Sequence, residues 1–299
     1  LLGIKKYAAI DVGSNAVRLL VSTIIEPKGE EPIFKKTSLV RVPIRLGEDV
    51  FLRGRISKAN ANRMLEAMKA YDLLMKVHKI ERFKACATSA MRSAKNGVEL
   101  SKKILEETGI EIEIIDGKHE AAIIATTDLH ELIKDDQTYL YVDVGGGSTE
   151  FTLFAEGKTV TSRSFKLGTV RLLNDMVDKN AWKEVEDWVK NVTKKYQHIQ
   201  MIGSGGNINN IFKTSGRKPG KPLSYKYIHD YYQLLTSMTY EERISKLILN
   251  TDRADVIVPA TKIYLSAMRW SKATKIFVPK IGLVDGIVKS MYNDAKAEE

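Results

Sequence analysis

Tyr139-Leu140-Tyr141-Val142-Asp143-Val144-Gly145-Gly146-Gly147-Ser148-Thr149-Glu150 is the stretch whose reading decides the fold. An apolar run leads to an aspartate, three consecutive glycines follow, and Phe151 to Phe154 return. The pattern predicts strand, sharp turn, strand. Glycine weakens a strand, so three in a row need a reason. An acid at such a turn can hold a cation, and glycines let backbone N–H groups approach an anion closely. A plain β-hairpin turn is the alternative; Asp143 before the turn and Glu150 after it weigh against that reading.

The same pattern stands 132 positions earlier (143 − 11), where Tyr7-Ala8-Ala9-Ile10 runs into Asp11-Val12-Gly13-Ser14-Asn15. Val17, Leu19, Val21 and Ile24-Ile25 supply a return strand, and Arg18 follows the turn. Two similar hairpins predict an internal duplication, each half a mixed sheet with helices packed on it and a ligand cleft between the halves. Loops facing one another there would clamp a phosphate and its metal ion from both sides. A third loop, Gly203-Ser204-Gly205-Gly206-Asn207, enters a helix. Helix N-termini present free N–H groups to anions, with a tight strand-to-helix turn as the alternative. None of these is a Walker A loop: Gly157-Lys158-Thr159 resembles its end, but position 152 is threonine where a glycine is required. Phosphoryl chemistry is the first expectation, with kinase, ATPase and phosphatase all open.

Elsewhere the periodicity predicts a helix over 57–79, N-capped by Ser57, whose Met64, Met68, Tyr71 and Met75 form a core stripe. A strand from Phe83 to Thr88 leads into Thr88-Ser89-Ala90-Met91-Arg92, then a helix over 97–108 ends at Gly109 and a strand covers 110–115. A helix over 118–134, closed by Asp135-Asp136, carries Glu120 near its start. On composition alone Glu120 is a solvated helix glutamate, and His119 is an exposed neighbour. Arg18 and Arg92 are candidate phosphate grips, because arginine binds phosphate bidentately. Residues 213–226 read as a loop with Lys213, Arg217, Lys218, Lys221 and Lys226 and no acid, able to carry the distal part of a polyanion if it lines the cleft. A terminal helix is predicted over 283–291.

The 299 residues suit two domains. The net charge of +10 favours polyanionic partners without choosing among them. No zinc-finger spacing and no basic-aromatic interleaving point to nucleic acid, and no apolar run approaches a membrane span. Cys86 is the single cysteine and reads as a packing residue in a strand. A cytoplasmic setting is the expectation.

Taken in order, Ala9-Ile10-Asp11-Val12-Gly13-Ser14-Asn15 with Arg18, Ala87 to Arg92 followed by Lys95-Asn96-Gly97, Ile114 to Ile124, Val142 to Glu150, Lys166 to Leu172 and Ile202 to Gly206 make the chain resemble the exopolyphosphatase / guanosine pentaphosphate phosphohydrolase (Ppx/GppA) family, in its short two-domain form. The resemblance implies an α/β fold of two ribonuclease H-like domains in tandem, within the actin-like ATPase, Hsp70 and sugar kinase superfamily, with the active site in the interdomain cleft. The implied domains are 1–120 plus 287–299, and 121–286. It further implies Glu120 as the catalytic base and Asp11, Asp143 and Glu150 as acids around Mg²⁺. Gly13, Ser14, Asn15, Arg18, Arg92, Gly145, Gly146, Gly147, Ser148, Gly205, Gly206 and Asn207 are the implied phosphate contacts. The implied reaction is release of orthophosphate from inorganic polyphosphate. Hydrolysis of the 5′-γ-phosphate of guanosine pentaphosphate (pppGpp), and a weakly active polyphosphate or nucleotide sensor, are the alternatives; dimerisation is compatible with the family. The chain departs from the family pattern at His119, Asn207 and Ala260, and in Pro279-Lys280 and Val284, where an arginine is usual before Asp285.

Overall fold

The computed structural model describes residues 2–127, 133 and 136–298. They fall into two units, Leu1–Thr127 with Gly282–Glu299, and Asp128–Ile281. In the first unit, strands β1 (Gly3–Val12), β2 (Val17–Glu26), β3 (Ile33–Val42), β4 (Arg82–Ala87) and β5 (Ile112–Ile114) form a sheet ordered β3-β2-β1-β4-β5. β1, β2 and β3 run antiparallel in sequence, whereas β4 lies parallel to β1 and β5 parallel to β4. Tyr7 to Val12 are buried without interruption, because a central strand is covered on both faces.

The Lys58–His78 helix packs on this sheet. Ser57 caps it, its hydroxyl accepting from the Asn60 amide at 3.2 Å. Met64, Met68, Tyr71 and Met75 are buried as the core stripe, and the Tyr71 hydroxyl donates to the Val17 carbonyl at 3.0 Å. The Gly97–Thr108 helix ends on Gly109, which turns out at φ 72°. Cys86 is buried in β4, and burial pushes its thiol up to about 12, as suits a packing residue.

The Leu283–Glu298 helix, longer than the periodicity predicts, belongs to the first unit. It packs against β1, β4 and the Gly117–Ala125 helix. A Cβ on Gly286 would stand 2.3 Å from the Ile123 carbonyl oxygen, so the two helices meet where one has no side chain. Asp285 accepts from the Gly282 amide at 2.9 Å and pairs with Lys36 of β3 at 2.7 Å. A lysine of β3 thus serves as the cation beside Asp285.

Two expectations are corrected here. The helix carrying Glu120 stops at Ala125, where Thr126 and Thr127 turn their hydroxyls onto the Ile123 and Ile124 carbonyls at 2.7 and 2.6 Å. Of the remainder of the predicted 118–134 helix, residues 128–132 and 134, like Asp135 beyond it, lie outside the described residues. The 213–226 loop is shorter than its charge suggests: Lys213 belongs to the Gly206–Thr214 helix and Lys226 to the Tyr225–Ser237 helix.

The second unit carries β6 (Tyr139–Val144), β7 (Thr149–Ala155), β8 (Lys158–Phe165), β9 (Gln200–Ser204), β10 (Leu223–Ser224) and β11 (Lys275–Phe277), ordered β10-β11-β9-β6-β7-β8. β8-β7-β6-β9-β11 repeats the order and directions of β3-β2-β1-β4-β5. Each unit therefore has the ribonuclease H-like arrangement, and the duplication read from the two hairpins holds. The Ile257–Ser271 helix is buried on most of its surface against this sheet's core, which includes Leu140, Val142, Phe151 and Met201.

Candidate functional site

In the first unit, Asp11 is the penultimate residue of β1, and a four-residue turn closes when the Gly13 amide donates to the Ala16 carbonyl at 3.1 Å. Antiparallel register sets Asp11 opposite Arg18, on the same face of the sheet. The Arg18 guanidinium donates to Asp11 Oδ2 at 2.5 Å. Asp11 is buried; burial pushes its carboxyl pKa up, and the Arg18 charge and hydrogen bond only partly offset this. The turn's carbonyls are pinned from behind. Ser14 O accepts from the Gly47 amide at 2.8 Å and Asn15 O from the Arg45 amide at 3.0 Å. In a trans peptide the N–H lies opposite the C=O, so the amides of Asn15 and Ala16 are turned the other way.

β1, β4 and β5 are parallel and end together, so the segments leaving them gather at one sheet edge. After β4, the Thr88 amide donates to the Val12 carbonyl at 3.2 Å, and the short Ser89–Ser93 helix carries Arg92, whose Nη1 donates to the Ile115 carbonyl at 2.5 Å. After β5, Asp116 caps the Gly117–Ala125 helix by accepting from the His119 amide at 2.8 Å. That hydrogen bond holds the Asp116 carboxyl below the ordinary carboxylate range, and the nearby Arg92 charge adds to the effect. Glu120 follows on the same first stretch of helix and is buried, in contrast to the solvated glutamate its composition suggests. Its charge and that of Asp11 both act on the Cys86 thiol in β4. His119 stays exposed.

The second unit repeats the turn with different chemistry. The Gly145 amide donates to the Ser148 carbonyl at 3.0 Å, and Asp143 stands opposite Glu150 in register. Glu150 is buried, and its Oε1 accepts from the Ser148 hydroxyl at 2.7 Å and the Ser164 hydroxyl at 2.8 Å. The third glycine loop closes on the second. Gly205 adopts φ 111° and ψ 159°, and a Cβ there would stand 2.9 Å from the Val144 carbonyl oxygen and 3.3 Å from Asp143 Oδ1. The Arg253 guanidinium donates to the Gly206 carbonyl and the Tyr264 hydroxyl to the Ser204 carbonyl, which hold this turn at the head of the Gly206–Thr214 helix. Asn207 is buried in that helix's first turn.

The glycine turn of the second unit is also pinned from behind. The amides of Thr169 and Val170 donate to Gly145 O and Gly146 O at 3.0 and 2.8 Å, and Arg171 Nε donates to Gly147 O at 2.8 Å. Arg45, Gly47, Gly168 and Arg171 stand outside the candidate site residues named above. A signal was present, because Arg45-Leu46-Gly47 after β3 is echoed by Lys166-Leu167-Gly168 after β8.

Within the first unit the structure brings Asp11, Gly13, Ser14, Asn15, Arg18, Arg92 and Glu120 to one end of the sheet. Within the second it brings together Asp143, Gly145, Gly146, Gly147, Ser148, Glu150, Gly205, Gly206 and Asn207. Among the described residues, no group of three or more His, Cys, Asp or Glu side chains is set to hold a metal ion. Mg²⁺ asks for less: it commonly takes one or two carboxylates and completes its shell with water and substrate phosphate. The cross-strand carboxylates Asp143 and Glu150 are of the kind that donor set uses, and Asp11, the other acid expected there, pairs with Arg18.

A model of the Ppx/GppA phosphatase family matches residues 28–295. The bifunctional 3-dehydroquinate synthase/phosphatase of Fusobacterium nucleatum is 30% identical over 267 residues, covering 83% of this chain and 39% of that protein. Exopolyphosphatase 2 of Mycobacterium tuberculosis is 32% identical over 179 residues, 57% of this chain and 54% of that protein. The chain thus spans about half the length of these curated relatives or less. Among solved structures, the Aquifex aeolicus member of the family is 26% identical with a TM-score of 0.76, covering 98% of this chain and 99% of that one. An exopolyphosphatase from Cytophaga hutchinsonii shares the fold at a TM-score of 0.83 and 22% identity, over 97% and 98% of the two chains.

Proposed function

Since the chain belongs to the Ppx/GppA phosphatase family, we propose that it is an exopolyphosphatase, hydrolysing the terminal phosphoanhydride of inorganic polyphosphate to orthophosphate. The observation that carries this reading is the burial of Glu120 at the start of a capped helix, at the sheet end where Asp11 and the first pinned turn also lie. A solvated glutamate is a poor base at neutral pH; one withdrawn from bulk water can orient and deprotonate a single water molecule. Glu120 takes the proton as that water attacks the terminal phosphorus, and the shortened chain leaves with the electrons of the P–O–P bond. The amides of Asn15 and Ala16, and those of Gly146, Gly147 and Ser148, are fixed donors for phosphate oxygens. Donors fixed in advance cost no reorganisation when charge shifts in the transition state. Mg²⁺, held by Asp143 and Glu150, would neutralise phosphate charge and polarise the scissile bond. Net charge of +10 is compatible with a polyanionic substrate.

The test is phosphate release from long polyphosphate, short polyphosphate, pppGpp and ATP, with and without Mg²⁺, for the wild type and Glu120→Gln. The expected result is preference for polyphosphate and a rate lowered by roughly 10²–10⁴ in the variant, the usual worth of a general base. Preference for pppGpp would overturn the substrate, and a rate untouched by the substitution would overturn the base.

A further inference from the structure

We infer that Arg171 is a positioning residue of the second phosphate turn, acting with the bare backbone of Gly168 to aim the amides of Gly146, Gly147 and Ser148. This rests on the reading of Gly145–Ser148 as a phosphate loop. Three consecutive glycines have no side chains to fix them, and glycine visits both signs of φ freely. Left alone, such a turn would sample many orientations of its amides. Four donors from one segment remove that freedom: the Thr169 amide on Gly145 O, the Val170 and Arg171 amides on Gly146 O, and Arg171 Nε on Gly147 O. Each carbonyl belongs to the peptide unit whose N–H is carried by the next residue. Drawing the three carbonyls toward the Thr169–Leu173 helix therefore turns the amides of Gly146, Gly147 and Ser148 away from it.

Three of the donors are backbone amides, and any non-proline sequence there would supply them. Arg171 Nε is the side-chain donor, and the carbonyl it holds precedes the Ser148 amide. Ser148 is in turn tied to Glu150 through its hydroxyl at 2.7 Å. Gly168 makes the approach possible. A Cβ on it would stand 2.4 Å from Gly146 O and 2.4 Å from the Gly147 carbonyl carbon, positions that backbone atoms already fill. Its φ of −129° is open to any residue, so close approach is what demands glycine. The first unit gives an independent instance: Gly47 and Arg45 amides hold Ser14 O and Asn15 O, and a Cβ on Gly47 would stand 2.9 Å from Ser14 Cβ.

The experiment compares wild type, Arg171→Ala, Arg171→Lys and Gly168→Ala. Hydrogen exchange at the amides of Gly145, Thr169 and Val170 is read in the free protein. Affinity for inorganic phosphate is read by calorimetry, and kcat and KM with polyphosphate complete the set. Arg171→Ala and Gly168→Ala should each speed exchange at those amides and weaken phosphate binding by roughly ten- to a hundredfold, the scale of a hydrogen bond made by a charged group. Gly168→Ala leaves every charge in place, so its loss isolates orientation from electrostatics. Arg171→Lys keeps the charge without the Nε–H and should restore neither readout. Full phosphate affinity in Arg171→Lys, with wild-type exchange in Arg171→Ala, would make Arg171 a plain charge and overturn the inference. A wild type that binds no phosphate would overturn the phosphate-loop reading and the inference with it. Binding retained with exchange unmoved would overturn the inference alone. Should Gly168→Ala fail to fold, the two arginine variants still decide.

Discussion

Gly205 offers the sharpest test of how the second unit is built. It joins β9 to the Gly206–Thr214 helix at φ 111° and ψ 159°, a region that glycine alone occupies readily. Placing another residue there costs about 1–3 kcal/mol in backbone strain. A Cβ would also stand 2.9 Å from the Val144 carbonyl oxygen, and 3.3 Å from Asp143 Oδ1 and from the Tyr264 hydroxyl. The first of these is backbone in a core strand and cannot rotate aside; overpacking of this kind costs about 1–3 kcal/mol. One relaxation can relieve part of both terms, so Gly205→Ala should cost about 2–4 kcal/mol. Gly220 is the control, with φ 79° and open space around it. Alanine there meets only the left-handed penalty of about 1 kcal/mol. All three tryptophans, Trp182, Trp188 and Trp270, lie in the second unit, so their fluorescence in urea follows that unit alone. At a urea slope of ~2 kcal/mol/M, Gly205→Ala should lower the midpoint by about 1–2 M and Gly220→Ala by about 0.5 M. Equal midpoints for the two variants would refute the claim that the third loop is seated against Asp143 and Val144.

Cys86 should resist alkylation in the native protein at pH 8 and react once urea unfolds the first unit, because burial pushes its thiol up to about 12; rapid native labelling seen by mass spectrometry would contradict its placement. Asp49 accepts from the Ser57 amide at 2.9 Å, the Ser57 hydroxyl at 2.5 Å and the Asn60 side-chain amide at 2.8 Å. Burial pushes its carboxyl up, but these hydrogen bonds more than offset it and the net shift is downward. A depressed acid stabilises the fold in full above its unfolded value and loses that contribution as pH falls through the folded value. Asp49→Asn should therefore be less stable than wild type by about 1–2 kcal/mol at neutral pH, with the gap closing below the ordinary aspartate value of about 3.9. Thermal unfolding followed by circular dichroism across that range reads it, and a gap that persists in acid would count against the charged hydrogen-bond network.

The parts of the fold legible in the sequence were those whose cause is local. Asp-led glycine turns between apolar runs gave both hairpins, Ser57 marked a helix start, and Gly109 marked a helix end. β3 escaped because its Ile33-Phe34-Lys35-Lys36-Thr37 run is largely exposed, and a bulge opposite Val21 and Ser22 breaks its alternation. Gly47 and Gly168 escaped for a different reason. Neither has a positive φ, so nothing nearby in the chain asks for glycine; the demand comes from a turn that the fold brings against them from a distance. The burial of Glu120 is likewise a tertiary property. A glutamate in the first turn of a helix is ordinary, and only the shared ends of β1, β4 and β5 withdraw this one from water.

The two halves share a backbone design and differ at one position that decides their chemistry. The residue opposite the leading aspartate is Arg18 in the first unit and Glu150 in the second. In the first, the aspartate pairs with the Arg18 guanidinium within the protein. In the second, Asp143 and Glu150 stand opposite one another in register beside the glycine turn, a pair of acids of the kind that can hold a cation. On the proposed reading, Mg²⁺ would be held by the second half. Glu150→Gln isolates the point, because a glutamine Oε1 can still accept from Ser148 and Ser164 while the charge is gone. Mg²⁺ binding, read by calorimetry, and the Mg²⁺ concentration for half-maximal phosphate release should both weaken by roughly ten- to a hundredfold, the scale seen when groups around a metal are altered. Asp11→Asn should move the Mg²⁺ dependence far less, since its charge is spent on Arg18. An Mg²⁺ dependence that shifts with Asp11→Asn and stays put in Glu150→Gln would place the metal on the first half and reverse the assignment.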